Sequence, residues 1–398
     1  MERVYLKRTS RLHSGHLWVF SNEIEGSLRR YQPGDIVELR DKKENFLGIG
    51  YINPHSLITI RILTKKKEEI NRRFFEKRLR DALSYRERFL PSYYFATPQS
   101  SFRVVYSESD FLPGLIVDKY ADWIVIQSLT AGMDRFVEKI AEVLNQLLKP
   151  STIFLKNDAP QRTLEGLELT NTFLKGSGES LPLIKEGEVL LKVDPVEGQK
   201  TGFFLDQREN RLCLSGLINC YLRHQQEVKG LDLFCYSGAW GLQLAKIGAE
   251  VLFIDSSEKA LGLAKENAEI NGLMQRVSFL RADVFDYLTE AKAQEFDFII
   301  LDPPAFVKSR QKIKEAIKGY RFINSSAMRL IKKGGILCTS SCSHHISRET
   351  FLDILRSAAK DSGRSLRILE IRSQAKDHPI LLQVPETEYL KCVIAQVI

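Results

Sequence analysis

The rhythm of hydrophobic and polar positions changes twice along the chain. From Arg3 to Thr64, short apolar runs are separated by Gly, Pro and Asn; Asp35–Arg40, Leu47–Tyr51 and Leu57–Leu63 read as strands and predict a small β-barrel-like module. Arg72 to Phe89 carries Phe74, Phe75, Leu79, Leu83 and Tyr85 at helical spacing, which predicts a boundary helix. Between Phe102 and Lys185, strands at Arg103–Tyr106, Trp123–Gln127 and Thr152–Leu155 and a helix near Met133–Leu148 predict a modest α/β domain. The C-terminal half alternates strictly between strand-like and helix-like runs: Gly230–Cys235, Trp240–Ile247, Glu250–Asp255, Glu258–Ile270, Val277–Ala282, Phe296–Leu301, Ile313–Ile331 and Gly335–Thr339. That alternation specifies a doubly wound, mostly parallel sheet. A helix near Glu349–Ala359 and two strands, Ser365–Ile371 and Tyr389–Val397, then predict a terminal hairpin that puts an antiparallel strand on a sheet edge.

Composition narrows the classes. At 398 residues and 43% apolar content, the chain can bury more than one core. The net charge of +8 is too small to identify a nucleic-acid binder, but residues 1–67 hold 13 Lys/Arg against 7 Asp/Glu, a local surplus of +6. A surface facing phosphates and a merely solvated basic face both fit that surplus. The N-terminus lacks the apolar core of a signal peptide, and no long uncharged apolar run is available to span a bilayer. A cytoplasmic protein without a membrane partner is therefore expected. The six cysteines (213, 220, 235, 338, 342, 392) show no Cys-x-x-Cys spacing and fit reduced thiols.

Ligands of an open α/β sheet bind outside the carboxyl ends of its strands. The first strand ends in Asp232, Phe234, Tyr236, Ser237 and Gly238, where a glycine lets the backbone approach a ligand. The second ends at Asp255, 17 residues beyond Gly238, where a carboxylate can accept both hydroxyls of a ribose. The third ends at Asp283, within reach of an adenine amine. A nicotinamide site shares these features, but it needs Gly-x-Gly-x-x-Gly for its pyrophosphate; Tyr236 occupies the first Gly position here, which favours S-adenosyl-L-methionine. The fourth strand runs into Asp302-Pro303-Pro304, a rigid acceptor-rich lip suited to holding a planar base.

Cys342 follows the fifth strand, among Ser340, Ser341, Ser343, His344 and His345. Carbon 5 of a pyrimidine is a poor nucleophile until a thiolate adds to carbon 6, and Cys342 is the candidate thiolate. A fragment of a zinc site (Cys338, Cys342, His344, His345) is the competing reading, without a second ligand pair of finger-like spacing. Cys338, inside the strand, reads as a buried structural thiol. Upstream, Gln207 and Arg208 open a helix, either as contacts to the methionine carboxylate of the cofactor or simply as a capped helix start.

With these residues in view, the chain resembles the PUA-domain-containing 23S ribosomal RNA (cytosine-5)-methyltransferases along its whole length. His13–Phe20 and Pro33-Gly34-Asp35 resemble the PUA module and Asp110–Asp118 the central domain. Thr201–Arg208, Asp232–Gly238, Asp302–Phe306 and Ser341–His345 resemble the catalytic domain. The resemblance implies an α/β fold: a Rossmann-like seven-stranded methyltransferase domain (188–398), preceded by a β-rich PUA domain (1–67) and a small α/β central domain (68–187). It further implies 23S ribosomal RNA as partner, Asp302 near the target base and Cys342 as nucleophile. The Asp-Pro-Pro lip departs from relatives with Pro-Cys after the fourth strand, so a second catalytic cysteine is not expected. Two enzyme readings and one other stay open: carbon 5 transfer, amino-nitrogen transfer, and an RNA-binding assembly factor with an idle site. A homodimer is one arrangement the sequence leaves open.

Overall fold

Alternating burial along Asp35–Arg40 and near-continuous burial along Phe296–Leu301 mark two kinds of sheet, one with a single covered face and one covered on both. The computed structural model describes residues 1–223, 227–291, 296–306 and 312–398. Two units emerge. The first comprises Met1–Ile184, Val193–Leu205 and Lys376–Thr387, and the second Lys185–Lys192, Asp206–Ala375 and Glu388–Ile398. Among the described residues, no helix is long and apolar enough to cross a membrane.

The first unit contains a six-stranded sheet, from Trp18–Val19 through Ile60–Thr64, Phe46–Ile52, Asp35–Arg40 and Glu2–Leu6 to Ile24–Glu25, and a five-stranded sheet built from residues 101–175. The helix Arg72–Phe89 covers the predicted span and is capped by Asn71, whose side chain accepts from the Phe74 N–H. The predicted helix Met133–Leu148 is instead two pieces, Ala131–Asp134 and Val137–Leu148. The break follows from packing. Gly132 lies so close to the Tyr51 ring that a Cβ would stand 2.0 Å from it, and Phe136 turns out of the helix to meet Phe75 at 4.8 Å between ring centres.

The second unit is built on seven strands: β1 (Lys229–Leu233), β2 (Glu250–Asp255), β3 (Val277–Arg281), β4 (Phe296–Leu301), β5 (Ile331–Ser341), β6 (Leu366–Arg372) and β7 (Lys391–Val397). Its helices are α1 (Arg208–Leu222), α2 (Ala239–Lys246), α3 (Glu258–Ile270), α4 (Val284–Glu290), α5 (Ile313–Leu330) and α6 (Arg348–Ser362). The order is β3-β2-β1-β4-β5-β7-β6, parallel through β5, with β7 antiparallel to both β5 and β6. The antiparallel strand is thus inserted one place inside the edge, where the sequence had put it at the edge. The pattern of β7 accounts for this: Cys392 to Ala395 are all buried, as in an interior strand covered on both faces, while β6 has no buried residue and leaves Ile368, Leu369 and Ile371 exposed. Strand β1 stops two residues before the predicted Cys235 because Phe234 adopts a positive φ of 61°.

One face of this sheet is closed by Tyr320, Ile323 and Ala327 of α5 and Phe351, Ile354 and Leu355 of α6, packed with Leu231, Ile299, Leu337 and Val393. At the sheet centre, Gly230 of β1 admits the Phe298 ring of β4: a Cβ there would fall 1.9 Å from ring carbons of a fully buried side chain. Gly230→Ala is expected to lose about 1–3 kcal/mol through overpacking. Urea unfolding checks this, and an unchanged midpoint would mean that the glycine is not there for the ring.

Candidate active site

The turn from β1 into α2 is strained in a regular way. Phe234, Tyr236 and Gly238 lie at φ values of 61°, 48° and 79°, so every second residue is left-handed. Each non-glycine residue in that region costs on the order of 1 kcal/mol or more and persists only where its surroundings fix it. Here they do. The Tyr236 N–H donates to Asp255 Oδ2 (3.0 Å), the Gly241 N–H to Asp232 Oδ2 (2.9 Å), and Asn267 of α3 donates to the Ser237 carbonyl (3.1 Å). A Cβ on Gly238 would approach Ala264 to 3.1 Å, so the turn lies directly on α3.

Asp232 is fully buried, and its Oδ1 has no hydrogen-bond partner among the described residues; nor does the buried Ser237 Oγ. Burial pushes the Asp232 carboxyl up to about 8 against the Gly241 N–H bond, with Asp302 and Asp255 adding to the rise. A buried acid at a strand tip with only one of its two oxygens hydrogen-bonded suits a ligand that brings a positive charge. Asp255 receives N–H bonds from Tyr236 and Ser257, leaving about two of a carboxylate's four acceptor positions for a diol. Asp283 is exposed and caps α4, with Oδ1 accepting from Phe285 and Asp286. These positions fit the sulfonium, ribose and adenine of S-adenosylmethionine in charge and hydrogen-bonding type.

The lip past β4 is held from two sides. Gln207 Nε2 donates to Asp302 Oδ1 and Trp240 Nε1 to Asp302 Oδ2, both at 2.9 Å. Gln207 is itself set by Asn210, whose amide donates to its Oε1 at 2.7 Å. Arg208, expected at the methionine end of a cofactor, directs its Nε to Glu186 (3.3 Å) in a buried cluster with Arg211 (2.6 and 2.7 Å). Burial opposes ionisation of Glu186, but the two guanidinium groups outweigh it and hold its carboxyl below the ordinary range.

Strands β4 and β5 pair in parallel, with Leu301 opposite Thr339, so the residues past their ends adjoin. The Cys342 sulfur lies 4.0 Å from the Pro303 carbonyl oxygen. The Tyr320 hydroxyl of α5 bonds the hydroxyls on either side of that cysteine, Ser341 and Ser343, at 3.0 Å each. Cys338 is buried inside β5, 3.9 Å from the sulfur of Cys392 on β7, and among the described residues no group of three or more His, Cys, Asp or Glu is placed to hold a metal ion. Trp240, Asn267, Glu186 and Tyr320 hold the site's side chains and carried no signal of it in the sequence beyond lying in or near its elements.

Asp232 sets a pH dependence. Its folded-state value lies above the unfolded one near 4, so its contribution is fully present below about pH 4 and is lost as pH rises through about 8. Asp232→Asn, which keeps an acceptor for Gly241, is expected to gain stability relative to the parent as pH rises from about 4 to about 8. Thermal melting of both proteins across that range checks the sign; parallel curves would contradict it.

The PUA-like domain family matches residues 4–65, and a methyltransferase domain family matches residues 224–381. Ribosomal RNA large subunit methyltransferase I of Shewanella amazonensis is 38% identical over 403 residues, covering 99% of both chains, and that of Pseudoalteromonas atlantica is 37% identical over 388 residues, covering 96% of this chain and 95% of its own. A solved structure from Streptococcus mutans assigned as a SAM-dependent methyltransferase shares the fold over 100% of both chains, with a TM-score of 0.82 at 20% identity. Identity of this extent along the full length, together with a doubly wound sheet whose carboxyl ends carry Asp232, Asp255, Asp302 and Cys342, shows that the chain belongs to the ribosomal RNA large subunit methyltransferase I family.

Proposed function

We propose that this protein transfers a methyl group from S-adenosylmethionine to carbon 5 of a cytosine in 23S ribosomal RNA, with Cys342 as covalent nucleophile. The observation that carries the reading is the adjacency of a sulfur and an acceptor-rich lip: Cys342 Sγ lies 4.0 Å from the Pro303 carbonyl, one residue from the doubly anchored Asp302. Asp302 holds the cytosine edge. The Cys342 thiolate forms a bond to carbon 6, and the displaced π pair makes carbon 5 nucleophilic. Bound S-adenosylmethionine supplies an electrophilic methyl on a sulfonium. Loss of the carbon 5 proton to a base then restores the ring double bond as the sulfur–carbon 6 bond breaks, and the thiolate is regenerated.

Asp232, Phe234, Tyr236, Ser237, Gly238, Asp255, Asp283 and Asp302 form the cofactor cradle in this reading, with Gln207 and Arg208 at the methionine end. Arg208 fixes the start of α1 through Glu186, given the direction of its Nε. Residues 1–67 hold RNA, 68–187 form the central domain and 188–398 carry out the transfer, in the cytoplasm, where six thiols stay reduced. Cys342→Ala is expected to keep cofactor binding by calorimetry and to lose turnover by at least about a thousandfold, as removal of a covalent nucleophile does. RNA bearing 5-fluorocytosine should give a stable protein adduct, because fluorine cannot leave as a proton does. Methylation of an amino nitrogen gives no adduct and survives loss of the thiol, and absence of cofactor binding would favour an idle site.

A further inference from the structure

Lys391 is a buried cation that the proposed chemistry leaves unused. It opens β7 opposite Ser341 in the antiparallel register with β5, and only 6% of it is exposed. Its Nζ donates to the carbonyl oxygens of Ser343 (2.7 Å) and Tyr389 (2.8 Å). Among the described residues, no carboxylate lies within ion-pair distance of it; the nearby Glu388 pairs with Arg348. Burying an ammonium costs several kcal/mol unless an anion is matched to it, and two carbonyl dipoles supply only part of a negative charge. Burial accordingly pushes Lys391 down to about 8, and a charge on Cys342 is the largest influence pulling it back up. The missing anion has a natural candidate in the residue next to the gripped carbonyl.

We infer that Lys391 is a positioning residue that acts through Cys342: its ammonium is the counter-charge of the thiolate, and its hold on the Ser343 carbonyl fixes where the sulfur stands. The inference rests on the reading of Cys342 as nucleophile and extends it to the source of the thiolate. Tyr320 completes the arrangement from α5. Burial pushes its phenol up to about 12, so it stays protonated and anchors the hydroxyls of Ser341 and Ser343 on both sides of the cysteine. The other titratable groups about this loop are Asp302 past β4, Glu388 and Tyr389 ahead of β7, Asp206, which accepts from the Tyr389 hydroxyl, and His344, whose ring packs on Tyr389 at 5.5 Å. The carboxylates among them oppose a thiolate, which makes the lysine charge the more necessary.

The test is the pH dependence of alkylation of Cys342 by iodoacetamide in the full chain, read on the Cys342 peptide by mass spectrometry. In the parent protein the midpoint is expected below the ordinary thiol value of about 8.5, and a midpoint at or above it overturns the inference without any variant having to fold. Lys391→Gln keeps a donor for the carbonyls and loses the charge. Its midpoint is expected about one unit higher, so that alkylation near neutrality slows about tenfold, whereas Lys391→Arg keeps the parent value. For methyl transfer, Lys391→Gln should lower kcat with KM little changed, and raising the pH should recover part of the loss; an unchanged alkylation midpoint in Lys391→Gln sinks the proposal. Failure of the nucleophile reading is separable, since it appears as turnover retained by Cys342→Ala, whatever the alkylation profile of the parent.

Discussion

Two N–H groups, one from the segment ahead of the sheet and one from the helix after its first strand, converge on the carboxylate of Asp302. Hydrogen bonds to a carboxylate are among the stronger ones available, and each here is donated by a side chain that is itself buried. Prolines 303 and 304 have no N–H to contribute and restricted φ, so the backbone past β4 cannot rearrange to satisfy the acid in another way. The acid fixes the lip, the lip abuts Cys342, and the strained turn that carries Trp240's helix fixes the donor. Loosening any member of that chain displaces the rest.

The strained turn and the buried acid beneath it form a second dependency. Asp232 is used once, by the Gly241 N–H, and its other oxygen lacks a partner among the described residues. A folded protein tolerates such a group where function repays it. An acid that is half satisfied at the end of β1, beneath a backbone bent into the left-handed region at alternate residues, marks a place shaped for something other than the protein's own stability.

Much of this was legible in the sequence, for reasons of range. Glu250–Asp255, Glu258–Ile270 and Phe296–Leu301 are defined by local period and flanking turns, and their observed bounds coincide with the predicted ones. Asp302 and Cys342 were readable as strand-end residues because parallel order brings such ends together. What escaped depends on partners far along the chain. The division of the helix at Arg135 and Phe136 is set by Tyr51 and Phe75, and the placement of β7 inside β6 by burial on both faces. Lys391 carries a signal of its own in the sequence: it is the lone charge of β7 and stands ahead of four consecutive apolar residues.

The insertion of β7 between β5 and β6 also orders events during synthesis. A nascent chain that has delivered β5 to the fold still presents that eleven-residue strand as an open border, because its other neighbour is made from residues 391–397. Sheet borders of that kind invite foreign strands. The helix α6 and strand β6 emerge in between and cannot close the gap. The loop bearing the sulfur therefore gains the grip of Lys391 on its Ser343 carbonyl only when β7 docks, after β5, α6 and β6 have all been made.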